Sequence, residues 1–286
     1  MIKFGFHIPI SGGITKMPFR ARELECQTIQ IFSRNPRGWK YSPLRKNEIE
    51  QVRKDIESFK IDPLFIHMPY LPNPASLDKS IYKRSIDSMI EEVKRAESLK
   101  AGYVNVHIGK KMDAGLEQGL KRVIQALNTV MDRTKNSFVT LLVENTAGQG
   151  SEIGNLFEHI GFIKAGIENK NRFSVCLDTA HLFAAGYDLR ARDSIRKTFQ
   201  EFERYIGWEY LKCIHYNDSK SHLGSRVDRH DHIGKGKIGQ EGMKNIMTYK
   251  KLSHLPFILE TPKDTDQDDR MNLETVKSFQ NASLWE

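Results

Sequence analysis

The chain has 286 residues, of which 39% are hydrophobic and 28% charged. That balance suits one domain burying about three quarters of its unfolded surface, and it excludes a wholly disordered, collagen-like or coiled-coil protein. Lys and Arg number 44 against 36 Asp and Glu, a formal charge of +8 that leans toward an anionic partner or substrate.

Eight short β-rich runs alternate with eight longer helical patterns. Strand 2–7 precedes helix 14–26, and 28–33 precedes 43–59. Then 63–68 precedes 77–100, 103–108 precedes 115–134, and 140–145 precedes 151–168. Finally 173–179 precedes 190–206, 211–217 precedes 239–250, and 256–261 precedes 267–281. The helix over 77–100 has the clearest period, with Ile86, Met89, Ile90, Val93, Ala96 and Leu99 at three- and four-residue spacing. Leu64-Phe65-Ile66 and Phe257-Ile258-Leu259 are apolar throughout, as in parallel strands covered on both faces. Eight strand–helix units predict an α/β fold, a (β/α)8 TIM barrel forming one domain over residues 1–286. An open doubly wound sheet would want a Gly-rich phosphate turn after the first strand, where Ser11-Gly12-Gly13 stands instead.

No apolar run reaches the roughly 18 residues of a membrane helix, and the first residues lack a signal-peptide core. Cys26, Cys176 and Cys213 are odd in number and widely spaced, which argues against a disulfide framework. The expectation is a cytoplasmic protein, in a reducing compartment, without a membrane partner.

Barrel enzymes carry their chemistry at the C-terminal ends of the strands. Strand 3 ends in His67, strand 4 in His107 and strand 5 in Glu144; strand 6 ends in Asp178, with His181 just beyond, strand 7 in His215 and strand 8 in Glu260. Taken singly, Asp178 or Glu260 reads as a helix N-cap or first-turn charge, and a lone His as a hydrogen-bonded structural residue. As a set they converge on one mouth, where unpartnered polar groups would carry a large desolvation cost that cations remove. In the loop after strand 7, Asp228 and His230 project to the same side of an extended segment. Five His and four carboxylates are too many for one catalytic zinc and suit two or three ions. His7 ends strand 1, with its role open between supporting the site, facing phosphate and packing. Cys176 and Cys213 precede ligand candidates by two positions and are expected one layer deeper in the barrel.

His67-Met68-Pro69-Tyr70, Val106-His107-Ile108-Gly109, Val143-Glu144-Asn145-Thr146-Ala147-Gly148, Leu177-Asp178-Thr179-Ala180-His181, His215-Tyr216-Asn217-Asp218, Val227-Asp228-Arg229-His230 and Leu259-Glu260-Thr261-Pro262 follow one another along the chain. In that order they resemble the endonuclease IV family, the zinc-dependent apurinic/apyrimidinic endonucleases of base-excision DNA repair. The resemblance implies a trinuclear zinc site, three Zn2+ per chain. One ion would be held by His67, His107 and Glu144, a second by Glu144, Asp178, His215 and Glu260, and a third by His181, Asp228 and His230. Glu144 and Glu260 would be the catalytic carboxylates. The implied reaction is hydrolysis of the phosphodiester 5′ to an abasic site in double-stranded DNA, by a monomer, leaving a 3′-OH and a 5′-deoxyribose phosphate. By the same resemblance Arg37, Tyr70 and Leu71 would be the DNA-binding residues that enter the duplex at the lesion.

The loop Ser33-Arg34-Asn35-Pro36-Arg37-Gly38-Trp39-Lys40-Tyr41 carries three cations, two aromatics and no acid, and is expected to contact phosphates. Two rival readings are a sugar isomerase or epimerase with one or two divalent ions, and a non-catalytic binder of damaged DNA. The first would not need Asp228, His230 or a basic aromatic loop; the second would need no ligand cluster.

Overall fold

A computed structural model describes residues 2–113, 115–265 and 267–286. The strands are β1 Phe4–Phe6, β2 Ile29–Phe32, β3 Leu64–His67, β4 Tyr103–His107, β5 Thr140–Glu144, β6 Phe173–Asp178, β7 Leu211–His215, β8 Asp218–Ser219, β9 His230–Asp231 and β10 Phe257–Leu259. Eight of them form one parallel sheet in the order β1-β10-β7-β6-β5-β4-β3-β2. Each lies inside a run expected from sequence. The His7–Gln30 bridge then sets β1 beside β2, with the Ile8 amide donating to the Gln30 carbonyl at 2.8 Å, so the sheet curls into a barrel. Gly5 permits this seam: a Cβ there would lie 1.6 Å from the Thr28 carbonyl oxygen. The two remaining strands, β8 and β9, form a short antiparallel hairpin that the hydrophobic pattern did not announce.

Among the described residues the α-helices are α1 Met17–Glu23, α2 Lys46–Ser58, α3 Lys79–Leu99, α4 Leu116–Arg133, α5 Phe157–Gly166, α6 Thr179–Ala185, α7 Arg192–Tyr205, α8 Gly239–Thr248 and α9 Asp268–Gln280. Eight of these lie within expected helices. The strongly periodic α3 buries Ile86, Met89, Val93, Ala96 and Leu99, and Asp78 caps it by accepting from the Ile81 amide. The additional helix, α6, follows β6 with no intervening loop. Its residues are almost all buried and so carry no amphipathic period. Gly186, at φ 114°, supplies the left-handed turn that ends it.

The apolar interior has two shells. One lies between sheet and helices. The other fills the barrel with Phe65, Leu142, Cys176, Cys213 and Ile258, beneath which Tyr103 stacks on Phe65. Both cysteines are thus core residues of the deeper layer, as expected. No helix among the described residues is long and apolar enough to cross a membrane.

Candidate metal centre

Strand side chains alternate between faces, so the residue two beyond an inward one also points inward. Phe65, Leu142, Cys176, Cys213 and Ile258 line the barrel interior. Two residues on stand His67, Glu144, Asp178, His215 and Glu260, one rung nearer the mouth. His107 reaches the same rung from β4. A pocket of 690 Å³ opens there, lined by His67, His107, Glu144, His181, Asp228, His230 and Glu260.

Three groups of donor atoms assemble in it: His67, His107 and Glu144; Glu144, Asp178, His215 and Glu260; and Asp178, His181 and His230. Asp228 joins the last, 3.3 Å from His181 Nε2 and 3.4 Å from His230 Nε2. Seven of the nine candidate ligands expected from sequence line this pocket, and the buried Asp178 and His215 join them through the donor groups. Asp178 does two jobs. Its Oδ1 accepts from the His181 amide and caps α6, while Oδ2 accepts from Asn217 at 2.6 Å and faces His230 at 3.6 Å. One oxygen thus realises the helix-cap reading and leaves the other facing His230.

The histidines are oriented from behind. His67 Nδ1 donates to the Met68 carbonyl at 2.6 Å, His181 Nδ1 to the Asn145 carbonyl at 3.0 Å, and His230 Nδ1 to the Glu260 carbonyl at 3.1 Å. Carbonyl oxygens only accept, so in the neutral ring the other nitrogen carries a lone pair. Those lone pairs face carboxylate oxygens. His67 Nε2 lies 3.4 Å from Glu144 Oε2, and His181 and His230 Nε2 lie 3.3 and 3.4 Å from the two Asp228 oxygens. Lone pair against lone pair repels unless positive charge stands between. A shared proton would draw such N and O atoms to about 2.8 Å. Two donors on a tetrahedral zinc, with bonds of about 2.0–2.1 Å, stand about 3.3–3.4 Å apart. These pairs show the second spacing, and His215 Nδ1–Glu260 Oε2 at 3.1 Å and His230 Nε2–Asp178 Oδ2 at 3.6 Å lie to either side of it. Glu144 Oε1, His215 Nδ1 and His230 Nε2 are also buried without a hydrogen-bond partner. Such orphans fit a set of metal ligands.

Electrostatics agrees that the pocket favours positive charge. Burial works to raise Glu144, but His107 and His215 outweigh it and hold the carboxyl well below its ordinary range. Burial likewise opposes ionisation of Asp228, yet His181 and His230 draw it down to about 2. Against its own burial, His181 is pushed well above its usual value by Asp178, Asp228 and Glu144.

The sequence matches the xylose isomerase-like TIM barrel family over residues 19–281. It is 42% identical over 279 residues to the probable endonuclease 4 of Methanosphaerula palustris, covering 97% of this chain and 98% of that one. The crystal structure of endonuclease IV from Thermus thermophilus superposes with a TM-score of 0.86 at 33% identity, covering 97% and 98% of the two chains. This chain belongs to the endonuclease IV family. A D-tagatose 3-epimerase-like protein shares the fold, with a TM-score of 0.76 at 18% identity.

In this endonuclease IV family member, the three residues expected from sequence to contact DNA lie on two loops at the pocket's edge. Tyr70 lines the pocket, is 65% exposed, and packs edge-on against Phe32 at 5.1 Å. Arg37 and Leu71 are exposed on the same two loops, outside the pocket lining. The Tyr70 amide donates to the Pro36 carbonyl at 3.1 Å and ties the loops together.

Arg34 departs from expectation. It is buried rather than available to phosphate. Its Nε donates to Glu92 Oε1 at 2.6 Å, Nη2 to Ser88 at 2.5 Å and Nη1 to the Gly38 carbonyl at 2.9 Å. The loop has no acid of its own and borrows one from α3. Other supporting residues also escaped the sequence reading. Asn105 donates to Glu144 Oε2, and Asn217 holds Asp178 while its Oδ1 accepts from the Glu260 amide at 2.8 Å. Asn105 had a signal: it is a polar residue of β4 two positions before His107, hence inward-facing.

Proposed function

We propose that this chain is a metal-dependent endonuclease that hydrolyses the phosphodiester 5′ to an abasic site in duplex DNA. The observation that carries the reading is the three groups of His and carboxylate donors, each with its donor atoms within 4.8 Å of one another and linked through the shared Glu144 and Asp178. Endonuclease 4 and endonuclease IV proteins that match over nearly the whole chain support the substrate class. Three zinc ions are the reading that the five imidazoles favour. His67, His107 and Glu144 would hold one; Glu144, Asp178, His215 and Glu260 a second; and His181, Asp228 and His230 a third. When bound, such ions supply Lewis acidity toward a phosphoryl group and lower the pKa of coordinated water to about 7.

The chain's own residues do the rest. In the reaction, the oxygen of water bonds to phosphorus, the bond from phosphorus to the 3′ oxygen breaks, and that oxygen takes up a proton. The product pair is a 3′-OH and a 5′-deoxyribose phosphate. Glu144 and Glu260 are the carboxylates that would stand closest to this exchange. Tyr70 and Leu71 present apolar surface that can fill an unstacked step, and Arg37 offers a cation to the backbone. An abasic site is already missing one base, so opening the duplex there costs less than elsewhere.

The test is a duplex carrying one abasic analogue, incubated with purified protein whose metal content is measured in parallel. Incision on the 5′ side of the analogue, with about three zinc per chain, is expected. Cleavage absent in metal-loaded protein, or incision on the 3′ side, rejects the reading.

A further inference from the structure

Gln30 is wholly buried on β2, at the seam where His7 bridges β1 to it. It lies two residues before Phe32, which packs against the His67 and Tyr70 rings and lines the pocket. By strand alternation Gln30 faces inward one rung deeper. Its amide meets both halves of the second donor group. Nε2 lies 2.7 Å from Glu260 Oε1, and Oε1 lies 2.9 Å from His215 Nε2.

For a neutral His215 ring, only one arrangement of protons satisfies these contacts. A carboxylate oxygen only accepts, so the Gln30 atom that faces Glu260 is the NH2 nitrogen. The carbonyl end of the amide is then the end that faces His215. It too only accepts, so the His215 proton sits on Nε2. The neutral ring is left with its lone pair on Nδ1, the atom 3.1 Å from Glu260 Oε2 and 3.3 Å from Glu144 Oε1. With Glu260 Oε1 engaged by Gln30, Oε2 is the oxygen turned toward His215 Nδ1. The other histidines whose ring nitrogens are held from behind use backbone carbonyls: His67 on Met68, His181 on Asn145 and His230 on Glu260. His215 is the member of this group that relies on a side chain.

We infer that Gln30 is a positioning residue of the metal centre: its single amide selects the tautomer of His215 and the rotamer of Glu260. The inference rests on the metal-centre reading and deepens it. The same amide nitrogen lies 3.1 Å from His7 Nδ1, which itself is 3.2 Å from Glu260 Oε1. Gln30 therefore couples the seam of the barrel to the His215–Glu260 pair that would hold an ion. Substituting such a support ordinarily costs 10–100-fold in metal affinity.

Gln30→Met keeps the length of the side chain and deletes both hydrogen bonds. In the full-length protein, zinc retention against a graded chelator should show one ion leaving about 10–100-fold more readily than in wild type, with the other two nearly unchanged. The visible absorption of the cobalt-substituted protein should change for that same ion. Equal retention of all ions by Gln30→Met and wild type overturns the inference. A measurement on the wild type guards against a variant that does not fold. Long-range 1H–15N correlation in the zinc-loaded protein should place the His215 ring proton on Nε2, and a proton on Nδ1 overturns the inference directly. Wild-type protein that binds no divalent ion at all would instead reject the metal-centre reading.

Discussion

Among the described residues, Glu92 is the only acid in a buried network that holds the β2–α2 loop in shape, and replacing it with Gln should be costly. Its Oε1 accepts from Arg34 at 2.6 Å and its Oε2 from the Ser33 hydroxyl at 2.5 Å. Arg95 donates to the same hydroxyl at 2.7 Å, to the Ser33 carbonyl, and to the Ser42 carbonyl at 3.0 Å. Two guanidiniums thus pin the start, middle and end of the loop that carries Arg37, around one carboxylate. The side chains of Arg34 and Glu92 are 3% and 0% exposed, so solvent screens the pair very little. Breaking a buried pair by neutralising one partner costs about 3–5 kcal/mol, because the remaining charge stays buried and uncompensated. Gln can keep one acceptor and one neutral hydrogen bond, which argues for the low end, about 3 kcal/mol. At about 2–4 °C per kcal/mol for a chain of this size, Tm should fall by about 6–12 °C. Differential scanning calorimetry of Glu92→Gln beside the wild type measures it. A fall of less than about 2 °C would refute the reasoning, for the two guanidiniums would then have found other partners. With the loop loosened, abasic-duplex affinity should drop while hydrolysis of a small activated phosphodiester holds.

Other outcomes follow from the same geometry. Glu144→Gln should lower both metal content and incision more than an amide swap at any other carboxylate of the site, because both Glu144 oxygens face histidines of the two donor groups it shares, whereas Asp178, also shared, spends Oδ1 on the α6 cap; elemental analysis and the abasic-duplex assay check this together, and near-wild-type values for both would exclude a bridging role. Replacing Tyr70 and Arg37 together by Ala should depress incision of abasic duplex at least tenfold, mainly through KM, and leave small-diester hydrolysis nearly unchanged; equal loss of both would mean that these residues support the metal ligands. The Cys26 thiol, pushed up to about 12 by burial, and the Cys176 thiol, raised well above its ordinary value by burial, have almost no thiolate at about pH 8. Both should resist alkylation in the native protein and react on unfolding, with reactivity rising as pH climbs toward those values; mass mapping that finds either modified quickly under native conditions contradicts the burial.

The barrel and the rung of candidate ligands were both legible in the chain itself. A strand that is apolar throughout, as at Leu64–Ile66 and Phe257–Leu259, declares that both of its faces are covered, and eight strands alternating with helices define the architecture. Alternation along each strand then says which residue faces inward, so Phe65 and His67, or Ile258 and Glu260, announce one apolar rung and one polar rung above it. That pattern states a direction and no partner. Arg34 looks like any cation in a basic loop, and only packing against α3, 58 residues onward, turns it into a buried clamp on Glu92. Gln30 faces inward by the same rule as its neighbours, but its partners lie 185 and 230 residues away, and they meet only when β1 closes on β2. The hairpin of β8 and β9 is too short to carry a period, although it brings His230 to Asp178. Helix α6 is capped by the carboxylate that also faces His230, and its buried residues show no polar face from which a helix could be read. Local sequence determines which way each side chain points along its own element. Closure of the barrel determines what stands opposite, because that depends on register between strands far apart in the chain.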